Sequence, residues 1–260
     1  MVAIFSDFRA VRSVNLGDLP GTTVKTEAVV LRSIRYGEAD RILHLYSRDR
    51  GRMGAIAKGA RKPKSRFGGR LEPFFRLDLV LHEGRSDLLT VTGVTTIHGY
   101  PRLRSSGPAI SAGARACDAV LRLLDAAEPN PPAYNLLCRY LALLDDPAAG
   151  ERAAALSTAL AFRLKLALVA GFAPELASCT RCGEADHLVG FSGAAGGVVC
   201  SSCEAGSFEL TEEAHAFMVT ALAQPLAEAP DASPLALRQV ERAVGETLEH
   251  HAHVQLRAAA

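Results

Sequence analysis

Four cysteines, Cys179, Cys182, Cys200 and Cys203, stand in the pattern C-x2-C-x17-C-x2-C. Each Cys-x-x-Cys closes a tight turn whose two sulfurs point the same way, and two such knuckles present four thiolates to one tetrahedral zinc ion. Four protein ligands fill the coordination sphere and leave no open position for water or substrate, so the spacing points to a structural metal and not a catalytic one. Two disulfides, or a thioredoxin-like redox pair, are the other chemistries open to this pattern. The remaining cysteines, Cys117 and Cys138, lie inside the apolar helical patterns RACDAVLRLL and YNLLCRYLALL and are expected to be small buried hydrophobes.

A second chemistry is carried by charge. The formal net charge of the 260-residue chain is only +1, yet residues 25–104 hold 17 Lys plus Arg against 8 Asp plus Glu, and residues 105–260 hold 10 against 18. A basic front and an acidic back call for different partners, and a polyanion suits the front. Within it, Arg48, Arg50, Arg52, Lys58, Arg61, Lys62, Lys64, Arg66 and Arg70 are interleaved with glycines. Glycine lets backbone approach phosphate while the long cationic side chains reach outward, which favours sequence-independent, salt-sensitive binding of nucleic acid. Tyr36 and Phe67 are the aromatics in this stretch expected to be exposed for base stacking, whereas Tyr46, Phe74 and Phe75 are expected to be mostly core.

The elements that must position these residues follow from hydrophobic periodicity. Residues 1–22 lack strong periodicity and read as an N-terminal extension ending in a Pro20-Gly21 turn. Between residues 23 and 100, the segments VKTEAVVLRSI, RILHLYSR, RMGAIAKG, FFRLDLVLHE and DLLTVTGVTTI read as five strands. Five strands in so short a span predict a small closed barrel of the oligonucleotide/oligosaccharide-binding (OB) type. From residue 101 the period becomes helical, with helices expected at 108–127, 132–144 and 151–170. Gly171 with Pro174 stops the third, residues 176–206 hold the cysteine element, and residues 207–260 return to helix, opened by Thr211 and by Ser233-Pro234. The predicted class is therefore α+β and multi-domain: a five-stranded OB barrel, then an all-α domain (101–175 and 207–260) with an inserted four-cysteine element.

No apolar run approaches the roughly 18 residues of a membrane span, and Asp7 with Arg9 interrupt the place of a signal peptide's apolar centre. A cytoplasmic, reducing location is expected, which favours the metal over disulfides. A nucleotide-binding enzyme is not indicated: no G-x-x-x-x-G-K-[ST] occurs, and the glycines of GFSGAAGG lie between cysteine knuckles. His250, His251 and His253 are expected to form a frayed polar terminus, and Glu38 with Asp40 a turn and cap beside Arg41.

Several pieces of the chain together resemble a known family. The segments Thr26-Glu27-Ala28-Val29-Val30-Leu31-Arg32 and Tyr36-Gly37-Glu38-Ala39-Asp40-Arg41-Ile42-Leu43 look like the opening of the bacterial recombination mediator family RecO. Residues 57–66 (AKGARKPKSR) and 69–74 (GRLEPF) continue the likeness, and Gly171-Phe172-Ala173-Pro174-Glu175-Leu176 with the four cysteines is similar to its zinc-bearing members. The resemblance implies a DNA repair and homologous recombination mediator without covalent catalysis. Such a protein binds single- and double-stranded DNA, anneals complementary strands, acts with RecR, contacts the C-terminal tail of the single-stranded-DNA-binding protein SSB and assists loading of the RecA recombinase in the cytoplasm at the nucleoid. Two features depart from the family pattern: some 20 residues precede the first strand, and the final segment 250–257 is less basic. The rival readings are a zinc-containing RNA-binding translation or processing factor, which shares the electrostatics, and a zinc-dependent nucleic-acid hydrolase, against which a closed four-thiolate site argues.

Overall fold

The computed structural model describes residues 22–84, 88–125 and 127–259. The N-terminal extension lies outside these residues except for Thr22. The described chain forms two compact units. One runs to Gly99 and takes in Leu124–Pro131; the other holds Tyr100–Leu123 and everything from Pro132 onward.

Five strands build the first unit: β1 (Thr23–Tyr36), β2 (Asp40–Ser47), β3 (Gly51–Ala57), β4 (Arg76–His82) and β5 (Leu89–His98). They close into a barrel of order β1-β2-β3-β5-β4. Every pairing is antiparallel except β3 with β5, which meet in parallel at Ala55↔Leu89 and Ile56↔Thr90. One long strand serves two neighbours. The first half of β1 pairs with β4 (Thr23↔His82 to Val29↔Arg76), and the second half pairs with β2 (to Tyr36↔Asp40). A register shift between Val30 and Arg32 bends the strand between these duties, as a bulge does.

Period-two alternation sends Ala28, Val30, Leu43, Leu45, Leu77, Leu79, Leu81 and Val91 into a common core. The connection Leu124–Pro131 packs on the β2–β3 hairpin. Ala127 N–H donates to the Arg52 carbonyl, the Tyr46 hydroxyl donates to the Asn130 carbonyl, and Gly51 (φ +64) lies so close under Glu128 that a Cβ there would sit 2.1 Å from its carbonyl oxygen. Only glycine fits that position.

The second unit is helical: α1 (Gly107–Leu123), α2 (Pro131–Asp145), α3 (Gly150–Ala153), α4 (Leu156–Val169), α5 (Glu212–Ala223) and α6 (Pro234–Ala252). Helix α4 is apolar on nearly every side, with Leu160, Phe162, Leu164 and Leu166 buried, and it is the central element against which α1, α5 and α6 pack. The single helix expected over 151–170 is broken. Ala155 is extended (φ −67, ψ 154), and the carbonyls near the break are taken by side chains: Tyr140 OH donates to Ala153 O and Thr158 Oγ1 to Arg152 O. The expected caps are present. Thr211 and Ser233 accept from the backbone N–H groups of Ala214 and Ala236, with Pro234 opening α6, and Gly171 (φ +84) follows the end of α4.

Between α4 and α5, strands β6 (Leu188–Ser192), β7 (Gly197–Cys200) and β8 (Phe208–Glu209) form an antiparallel sheet of order β7-β6-β8. The expectation of a frayed C-terminus is corrected. His250 and His251 are helical, His251 Nε2 lies 2.8 Å from the Gly193 carbonyl, and Ala259 is 1% exposed. Helical rotation separates His250 from His251, and His253 lies beyond the last helical residue, so the three are not gathered on one face.

Candidate nucleic-acid interface and metal centre

The basic stretch after β3 is a plug and not a loose arm. Successive turns close at Lys62 N→Gly59 O, Ser65 N→Lys62 O and Gly68 N→Ser65 O, followed by Arg70 N→Phe67 O. This winding turns Phe67 (1% exposed) and Leu71 (3%) into the barrel core and leaves Lys58, Arg61, Lys62, Lys64, Arg66 and Arg70 exposed. Phe67, expected to be a stacking residue, is thus core, with the Arg66 guanidinium 4.8 Å from its ring centroid. The physical reason is that a five-stranded barrel needs a large apolar group to close its mouth, a demand that local sequence does not announce.

The plug is stitched to the β1–β2 turn. Gly59 N–H donates to the Asp40 carboxylate (2.8 Å), Arg61 N–H donates to Ala39 O (2.8 Å), and the Arg61 guanidinium donates to Gly37 O (3.3 Å). The cap role expected of Asp40 is therefore observed, directed at the loop. Inside the mouth, Arg41 donates to Glu72 (2.6 Å) and to Ser33 Oγ (2.9 Å). Along the other side, Arg66 and Arg70 donate to the Val91 and Val94 carbonyls of β5. Tyr36 is 47% exposed and adjoins Gly37, so it stands at the same end of the barrel as Arg61.

Arg48, Arg50 and Arg52 do not join this cluster. The pairing Arg41↔Ala57 and Ser47↔Gly51 puts the β2–β3 hairpin at the opposite barrel end, about 20 Å from Lys58 along β3. Arg48 and Arg50 are exposed, Arg52 is half-buried, and Arg50 lies 3.7 Å from Glu83. Asp49, between them, accepts from Thr26 and Ser47. Linear proximity in the sequence had merged two surfaces that a strand holds apart. Conversely, Arg32 and Arg35 are exposed on the second half of β1, leading to Tyr36, and sequence reasoning passed over them. Their signal was the loss of buried alternation after Leu31, where the bulge lies.

The four cysteines converge as their spacing predicts. Their Sγ atoms all lie within 4.8 Å of one another, and Cys182 Sγ is 3.6 Å from Cys200 Sγ. A disulfide needs about 2.05 Å, and all four are free thiols. Four sulfurs each about 2.3 Å from one tetrahedral ion stand about 3.8 Å apart, so the cluster fits a metal. The first knuckle is closed by Gly183 N→Cys179 O and Cys179 N→Glu184 O, with Gly183 at φ +81; Arg181 bridges to the second knuckle by donating to Cys203 O and Ala205 O. Burial opposes ionisation of Cys179, but the Cys200, Arg181 and Cys182 amides outweigh it and bring that thiol down to about 6. Cys203, hydrogen-bonded to the Cys182 sulfur and desolvated, is pushed up to about 12. The opposite shifts of these two thiols arise from their crowding, since ionising one sulfur makes ionising its neighbour harder. Glu175 N–H and carbonyl bond Gly196 and Val198, tying β7 to the segment before the first knuckle.

A family model described as Recombination protein O N terminal matches residues 22–100, and one described as Recombination protein O C terminal matches residues 104–259. The chain belongs to the RecO family. Three relatives in that family, each named DNA repair protein RecO, show how much of the chain is shared. That of Rubrobacter xylanophilus is 39% identical over 227 residues, covering 84% of this chain and 89% of the relative. That of Anaeromyxobacter dehalogenans is 36% identical over 237 residues (88% and 91%), and that of Bifidobacterium animalis subsp. lactis is 40% identical over 178 residues (68% and 72%). The RecO barrel is the unit that carries the basic plug, and the RecO helical part carries the four-cysteine cluster. Among the described residues, no helix is long and apolar enough to cross a membrane.

Proposed function

We propose that this RecO-family DNA repair protein is a cytoplasmic, non-enzymatic recombination mediator. It binds single- and double-stranded DNA, anneals complementary strands, and with RecR assists RecA loading on SSB-coated DNA. The observation that carries the reading is the plug: Lys58, Arg61, Lys62, Lys64, Arg66 and Arg70 fan outward from a loop whose apolar side is locked into the barrel. A rigid cationic surface loses little entropy on binding, and it lowers the repulsion between two phosphate backbones while base pairing supplies the driving force. Tyr36 offers a ring for stacking at the same end, and Arg48, Arg50 and Arg52 form a separate, weaker contact zone. No covalent step is required.

Zinc is the ion we assign to Cys179, Cys182, Cys200 and Cys203, because four thiolates in tetrahedral reach suit it and the closed sphere suits architecture. When bound it would neutralise the thiolate charge and hold the two knuckles together.

Annealing of complementary oligonucleotides precoated with SSB, measured across a salt series, tests the reading. The parent accelerates annealing, and the acceleration fades with salt; six phosphate contacts to a single strand give a log–log binding slope of roughly −4. A triple variant, Arg61→Glu with Lys62→Glu and Lys64→Glu, loses DNA affinity at least about tenfold at moderate salt. Equal binding by parent and variant would remove the plug from the interface. Preferential acceleration with RNA would move the protein to the RNA-binding class.

A further inference from the structure

After α6 the chain turns back on itself. His253 adopts a left-handed conformation (φ 54), Val254 N–H donates to Leu248 O, and the following residues run extended with Val254 and Leu256 half-buried and His253, Gln255 and Arg257 exposed. This strap is gripped by one residue from each of three helices. Arg163 on α4 donates to the Arg257 carbonyl, Glu241 on α6 accepts the Ala259 N–H, and Asp118 on α1 lies 3.7 Å from the Arg257 guanidinium. Two of the three grips hold backbone, which any sequence supplies; the third reads one cationic side chain.

The charges beneath the strap are paired without it. Arg163, only 7% exposed, has Glu241 at 3.5 Å, and Asp118, 9% exposed, has Arg122 at 2.8 Å. Removing the strap therefore strands no buried charge, the event that makes breaking an ionic cluster strongly unfavourable. What leaves with it is one ion pair with an exposed arginine, two hydrogen bonds to strap backbone whose partners water can replace, the burial of Ala259 and the partial burial of Val254 and Leu256; this contact is small beside the packing of the helices and places the strap at the low-stability end of the molecule.

We propose that the face formed by α1, α4 and α6 is a peptide-binding site, held here in cis by the strap. In trans it accepts an extended protein segment with apolar residues at alternate positions and one Arg or Lys placed to meet Asp118. A grip on backbone, here by a buried donor (Arg163) and a half-buried acceptor (Glu241), is the mode by which extended peptides are recognised, with side-chain positions adding specificity. The required charge is basic, opposite to that of an acidic tail. The site belongs to the helical unit alone, so it stands or falls independently of DNA binding by the barrel.

The test uses the full chain and a fluorescent peptide copying residues 253–259 as probe. Because the strap competes, the parent binds the peptide weakly. In the Arg257→Glu variant, repulsion from Asp118 loosens the strap, and the probe binds about tenfold more tightly; the same probe with its own arginine changed to glutamate loses that gain. Hydrogen exchange provides a second measurement that needs no variant: the Ala259 amide exchanges far faster than the amides of α6. An Arg257→Glu chain of unchanged melting that ignores the probe, or a strap as protected as α6, overturns the proposal. A concentration-dependent dimer of the parent that excess probe dissolves would assign the site to a second copy's strap and overturn the partner assignment.

Discussion

The Arg41 guanidinium reaches Glu72 at 2.6 Å across the mouth of the barrel, joining β2 to the end of the basic plug. Side-chain exposures of 18% and 36% place the pair at the boundary between core and solvent. Its orientation is set by Ser33 on β1, which accepts from the same guanidinium. Three segments are thus held by one side chain, which adds to the ties that Asp40, Ala39 and Gly37 make to the plug. Arg41→Met is expected to lower barrel stability by about 1 kcal/mol, as for loss of a partly screened, hydrogen-bonded pair. Urea unfolding measures that change, and DNA titration of the still-folded variant should show weaker binding through plug disorder. Unchanged affinity with reduced stability would separate the lock from the interface.

Phe67 and Tyr36 should give opposite results. Phe67→Ala removes a fully buried ring from the barrel core and is expected to cost about 3–5 kcal/mol of stability. Tyr36→Ala, at an exposed position, should leave the melting temperature unchanged and weaken single-strand binding by roughly 1–3 kcal/mol if one base stacks there. Thermal melting and fluorescence anisotropy on both variants decide the assignment.

Metal removal should act on the helical unit. One zinc per chain is expected by elemental analysis, and Cys182→Ser should lower metal content while leaving the barrel's DNA affinity nearly intact, because the donors and the plug belong to different compact units. Chelation should abolish cooperative melting of the helical unit. A metal-free chain with unchanged melting would assign the cysteines another role.

Asp49 introduces a pH dependence. Burial pushes its carboxyl upward, but hydrogen bonds from Thr26 and Ser47, its own backbone N–H and the nearby Arg50 outweigh that, and the net shift is downward. A lowered folded-state value means that the stabilisation is present above the ordinary carboxylate range and is lost as pH falls through the folded value. Asp49→Asn should therefore be less stable than the parent at neutral pH, and the difference should vanish in acid. Denaturant midpoints at several pH values measure it; a constant gap across the range would assign the effect to packing.

Reversal of Arg50 tests the division of the basic run. Arg50→Glu adds a third acid beside Asp49 and Glu83 at the hairpin end, whereas Lys62→Glu acts at the plug. The plug variant should weaken single-strand binding more, by about tenfold against a twofold or smaller change, measured at one ionic strength. Equal losses would restore a single continuous track.

Much of this protein was legible before any fold was known, because the signals were local. Cys-x-x-Cys turns converge by their own geometry, strand alternation needs only successive side chains, and Thr211, Ser233-Pro234 and Gly171 mark helix ends through their own backbone preferences. The five strands, the helical second part and the convergence of the four cysteines all belong to this class. Tertiary structure decided what depends on residues distant in sequence. Phe67 is buried because the barrel mouth needs filling, and Arg48 to Arg52 part from Lys58 to Arg70 because β3 extends between them. The break before α4 is held by Tyr140 from another helix, and the tail is ordered by Arg163, Asp118 and Glu241 on three helices. Local chemistry specifies which surfaces a segment can offer, while packing decides which of them face inward, since burial is a property of the whole assembly of elements and not of any one of them.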